Sequence, residues 1–91
     1  MDKAGSNGVC TMAYEPTAVD VAWAKESVAL TSDEGVLAYK SPRLIYRVHH
    51  DVKVMILENP ELLPKGKREH QRTRVIFAAI GWTVLPDKIH D

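Results

Sequence analysis

The sequence predicts an α+β fold: a small antiparallel sheet built on a central hairpin at about 43–57, packed with two helices at about 17–30 and 67–80. Three observations carry this. Branched and aromatic residues alternate with strand spacing between Leu44 and Leu57. An alanine-rich segment follows Pro16 and Thr17. A third segment runs from polar to apolar and stops at Gly81. An all-α arrangement is the alternative. Ser41-Pro42 is also a good helix start, and Leu44, Val48, Val52 and Met55 would share one helical face.

Residues 1–14, with Gly5, Ser6, Asn7 and Gly8, read as a flexible start, and residues 15–91 as one small globular domain. In the first helix Val19, Trp23 and Leu30 fall on one stripe, while Val21 and Val28 fall nearly opposite. A helix with two apolar stripes is either sandwiched or shared with another chain. Thr31 to Gly35 end it as a turn, and Val36 to Lys40 is a short β-prone stretch. Two strands follow, Leu44–Val48 and Val52–Leu57, joined by a tight turn at His49–Asp51. Asn59, Pro60, Pro64 and Gly66 mark a connection. In the second helix Gly81 is placed for a left-handed cap, with Trp82 closing it and Thr83–Leu85 as a short strand. The rival reading is one long strand over 75–85 with Gly81 as a bulge.

Composition sets the outer bounds. Ninety-one residues, 45% of them apolar, suit one modest core. Net charge is zero but polarised: residues 1–39 hold six acids and two bases, and residues 40–91 six acids and ten bases. Such polarity suits end-to-end pairing of two copies, or an acidic partner for the C-terminal half. A lone cysteine, Cys10, excludes an intrachain disulfide and reads as a spectator thiol. The longest uncharged run, Val75 to Pro86, is twelve residues, too short to span a membrane. No signal-peptide pattern opens the chain, so a soluble cytoplasmic protein is expected.

Few features could carry chemistry. His49, His50 and Asp51 are adjacent, and neighbours on a strand point to opposite faces, so they converge poorly on a metal. They read as a polar turn, with a pH-sensitive contact or a metal site completed by His70 or His90 as the lesser alternatives. No phosphate-cradling glycine loop or nucleophile elbow is present, the one carboxylate pair, Asp33–Glu34, reads as a helix-ending turn, and no cofactor or catalytic residue is expected. Lys65, Lys67, Arg68, Arg72 and Arg74 place five cations within ten positions against the single acid Glu69. On a helix they spread into a broad cationic surface suited to phosphates or to an acidic protein. No aromatic residue interleaves with them, so base stacking is not expected there.

The stretch from Arg43 through Tyr46-Arg47-Val48 and His49-His50-Asp51 to Leu57 resembles the central hairpin of the RelE/ParE toxin family. In that family a Tyr-Arg-Val strand, an acidic turn and a second apolar strand recur. The resemblance covers fifteen residues and implies an RNA-directed role. It transfers no catalytic residue, because Glu58-Asn59-Pro60-Glu61 stands where the family is basic.

The resulting expectation is a small non-catalytic interaction module that self-associates, as a dimer by default, and contacts a macromolecule. Val19, Trp23 and Leu30 would supply the apolar contact and the stretch from Lys65 to Arg74 the charged one. A nucleic-acid binder or small toxin-like nuclease is the alternative, and a small-molecule-binding domain a third.

Overall fold

A computed structural model describes residues 14–38 and 43–87. Cys10, His90 and all but Tyr14 of the expected flexible segment lie outside the described residues. The fold is α+β, a four-stranded sheet with two helices.

Helix α1 spans Ala18–Leu30. Thr17 starts it through a reciprocal capping box: its Oγ1 accepts from the Asp20 N–H at 3.0 Å, and an Asp20 carboxylate oxygen accepts from the Thr17 N–H at 3.2 Å. The Tyr14 hydroxyl donates to the same carboxylate. Asp20 is thereby buried with partners for its charge, as a buried carboxylate requires. At the other end the Thr31 hydroxyl donates to the Ser27 carbonyl at 2.8 Å. Glu34 then adopts a left-handed φ of 64° to turn the chain into the sheet.

The strands are β1 (Val36–Leu37), β2 (Tyr46–His49), β3 (Val54–Leu57) and β4 (Thr83–Leu85), in the order β1-β2-β3-β4. The first three pair antiparallel, as the alternation anticipates. The β2–β3 hairpin turns at 50–53, so Val52 is an exposed turn residue rather than a strand residue. The fourth strand corrects the purely antiparallel expectation, because β4 pairs parallel to β3. Parallel neighbours need a crossover, and helix α2 (Leu63–Ala78) supplies it. A short 3₁₀ turn, Pro60–Leu62, leads into α2.

The end of α2 decides between helix and long strand. Gly81 takes φ 86°. The Trp82 N–H donates to the Phe77 carbonyl at 2.9 Å and the Gly81 N–H to the Ala78 carbonyl at 3.0 Å. That pair of bonds is a Schellman cap, and it needs glycine in the left-handed position. Trp82 then folds back beside Phe77 in the core.

Both helices cover one face of the sheet. Leu37, Tyr46, Val48, Met55, Leu57 and Val84 point inward and meet Ala24, Val28, Ile76 and Phe77 in a single cluster. The other face carries a row across all four strands: Val36, Arg47, Ile56 and Leu85. Arg47 spans that row with a two-pronged contact to Glu58, at 2.9 and 3.1 Å. The hydrogen bonds between them hold the Arg47 guanidinium above, and the Glu58 carboxyl below, its ordinary value.

Candidate functional site

Three of the five basic residues of α2 line one groove. Lys65, Lys67 and Arg68 line an open groove of about 570 Å³ near the start of the helix. Arg43 joins them there from the segment before β2, with Pro64, Glu69 and Gln71 completing the wall. Arg72 sets its guanidinium 5.0 Å from the centre of the ring of Tyr14, in the segment that leads into α1. Arg74 belongs to a second cavity of about 260 Å³ beside Trp82, Thr83 and Asp87. The groove therefore gathers four cations, and only three of them were expected from sequence.

Packing brings Arg43 to the groove. Leu44 is buried and lies against Gly66, where an added Cβ would come within 3.0 Å of a Leu44 methyl. Gly66 also interrupts the helical backbone, with φ −101° and ψ 19°. The notch lets the segment before β2 approach α2 closely, and Asn59 holds that segment in place. Its Oδ1 accepts from the Ile45 N–H at 3.2 Å, and its Nδ2 donates to the Arg43 carbonyl at 2.5 Å. Arg43 Nη1 then reaches the Lys65 carbonyl at 3.5 Å and lies 3.7 Å from Glu69 Oε1. Arg43 stands twenty-two positions from Lys65, with no local pattern to link them. The small residue at 66 is the one sequence clue.

The helix dipole is set against these charges. Its N-terminal end is positive, so cations there raise the energy of the folded chain. Lys65 lies in the first turn of α2, and Lys67 and Arg68 open the regular helix after the break at Gly66. No acidic residue occupies the first turn and no basic one the last. The groove gathers four cations and one acid at a helix end that does not favour positive charge.

The histidines are placed structurally. His70 is completely buried between the layers. Its Nε2 lies 2.7 Å from the Pro86 carbonyl and its Nδ1 2.7 Å from the Tyr46 hydroxyl. A carbonyl only accepts, so Nε2 carries the hydrogen and Nδ1 accepts from Tyr46. Burial first, and then the charge of Arg74, push the His70 imidazole below its ordinary value. Burial pushes the Tyr46 phenol well above its own. His50 ties the hairpin to the end of α1: its Nε2 donates to the Thr31 carbonyl at 2.7 Å, and its ring meets Trp82 edge-on. With both ring nitrogens of His70 engaged in the core, it cannot complete a metal site with His49 and His50. Among the described residues no three His, Cys, Asp or Glu side chains converge on a point.

The apolar residues singled out on α1 face outward. Val19 is 71% exposed, Trp23 42% and Leu30 79%, while Ala24 and Val28 turn into the core. Trp82, Phe77 and Tyr46 are buried in the core. Among the described residues, no helix is long and apolar enough to cross a membrane.

No protein-family model, no curated protein and no solved structure matches this chain. The likeness to the toxin hairpin rests on fifteen residues of sequence alone.

Proposed function

We propose that the protein is a small non-catalytic binding module whose partner is nucleic acid, held by its phosphates in the groove at the start of α2. The observation that supports this reading is the convergence of Arg43, Lys65, Lys67 and Arg68 from two separate segments on one groove. Arginine and lysine bind phosphate by charge-assisted hydrogen bonds and gain from release of counterions. Pro64 is the one apolar lining residue. Protein–protein interfaces concentrate apolar and aromatic groups at their centre, whereas nucleic-acid interfaces are polar and positive, so the lining favours nucleic acid over an acidic protein.

Fluorescence anisotropy with labelled single-stranded oligonucleotides at low salt tests this. Four phosphate contacts on a single strand imply a log–log salt slope of about −3. Replacing Lys65, Lys67 and Arg68 with Ala should remove the binding while the far-ultraviolet circular dichroism stays unchanged. Absence of binding by the unmodified protein at low salt refutes the reading.

A second reading adds self-association through α1. Its support is the exposure of Val19, Trp23 and Leu30 on one helical stripe, since large side chains in water favour association. Light scattering of the protein and of the variant Trp23→Lys decides it: the intact chain should give a dimer mass and the variant a monomer. A monomer at every concentration of the intact chain removes this second claim.

A further inference from the structure

The cationic groove contains one acid, and that acid is poorly satisfied. Glu69 Oε1 is shut off from water and receives no hydrogen bond from the described residues. Its nearest cation, Arg43 Nη1, stands at 3.7 Å, beyond hydrogen-bond reach. On the far side of the sheet, Arg47 closes onto Glu58 at 2.9 Å, as an arginine normally does on a carboxylate. The Arg43–Glu69 pair is left open by comparison. A carboxylate oxygen without a donor carries a desolvation cost that a new donor would relieve. The Glu69 side chain is otherwise 42% exposed, so it is free to turn toward a ligand.

A nucleic acid entering the groove supplies phosphates for Arg43, Lys65, Lys67 and Arg68. Moving Arg43 toward a phosphate opens Glu69 Oε1 to a donor carried by the ligand. The DNA backbone has none, since phosphate and deoxyribose oxygens only accept. Ribose repeats a 2′-hydroxyl donor at every nucleotide. We propose that the groove selects RNA over DNA, with Glu69 accepting a hydrogen bond from a ribose 2′-hydroxyl while Arg43 takes the neighbouring phosphate. The inference rests on the nucleic-acid reading above and assigns its chemical class.

The test compares three single-stranded probes with the same bases: oligouridylate, its deoxyuridine counterpart and its 2′-O-methyl form. A hydrogen bond to a charged group corresponds to about tenfold in affinity. The intact protein should bind the ribose form about tenfold more tightly than the other two. In Glu69→Ala the deoxy form should bind more tightly than before, because a repelling charge is gone, and the ribose preference should vanish. Equal affinity of the intact protein for all three probes, or a ribose preference that survives in Glu69→Ala, overturns the proposal and leaves the nucleic-acid reading standing. Failure of every probe to bind the intact protein overturns both. If Glu69→Ala fails to fold, the 2′-O-methyl comparison on the intact protein still decides, since that form keeps the ribose pucker but loses the donor.

Discussion

Acid should destabilise this protein through one histidine. His70 is buried, donates from Nε2 to the Pro86 carbonyl and accepts at Nδ1 from Tyr46. Protonation would place a charge in the core and turn its one acceptor into a donor facing the Tyr46 hydroxyl. Burial accordingly holds its folded-state pKa below the ordinary 6.5. Below 6.5 the unfolded chain binds a proton that the folded chain refuses, so stability is complete above that pH and is lost as pH falls toward the depressed folded value. For a group that stays neutral when folded, the loss is at most about 1.4 kcal/mol between pH values of about 7.5 and 5.5. Most carboxylates titrate below that window, which keeps them largely out of the measurement. Urea unfolding at the two pH values measures the loss. His70→Gln preserves a donor and an acceptor without a titrating ring, and every other group is common to both proteins. The difference between their pH slopes therefore isolates His70. A stability that is flat across the window, or a slope that persists unchanged in His70→Gln, would refute the buried neutral imidazole.

Other substitutions probe the fold and the groove. Thr17→Ala removes the capping hydroxyl and should cost about 1 kcal/mol in urea unfolding. Gly81→Ala forces a side chain into a left-handed backbone and should cost about 1–2 kcal/mol, although the space beside it is open. Gly66→Ala presses on Leu44 and should cost about 1–3 kcal/mol while weakening oligonucleotide binding, because it pushes Arg43 away from Lys65. Lys65→Glu should raise the melting temperature slightly, by the equivalent of about 0.3–1 kcal/mol at the positive end of α2, and should weaken binding.

What could be read from sequence followed the reach of its signals. Local rules identified α1 from Pro16-Thr17 and its alanines, the hairpin from alternation, and the end of α2 from Gly81-Trp82. Each of these is fixed by bonds between residues a few positions apart. The parallel pairing of β4 was not legible, because a three-residue strand does not specify its neighbour. The burial of His70 was also hidden. It lies amid a basic stretch, and only the arrival of Tyr46 and Pro86 from distant segments makes it a core residue. The same holds for the groove. Lys65, Lys67 and Arg68 are conspicuous together, but the side chain that completes them, Arg43, depends on the close approach of Leu44 to Gly66. Arg72 and Arg74 were grouped with them by proximity in sequence, but Arg72 lies against Tyr14 and Arg74 beside Trp82.

The strongest physical reason to place function on α2 is that its charges oppose its stability. A helix of this length is best served by acids at its start and bases at its end. Here the start carries Lys65, Lys67 and Arg68, the end carries no base, and Arg68 and Arg72 stand one turn apart as a like-charged pair. Elsewhere the chain obeys its local rules: a complete capping box on α1, a Schellman cap at Gly81 and a closed ion pair between Arg47 and Glu58. Cations at the start of a helix are the kind of local departure that a binding role outside the chain would account for, which is the reading proposed above. An anion seated in the groove would offset the charges of Lys65, Lys67 and Arg68, since it meets the helix dipole and the converged cations with the opposite charge.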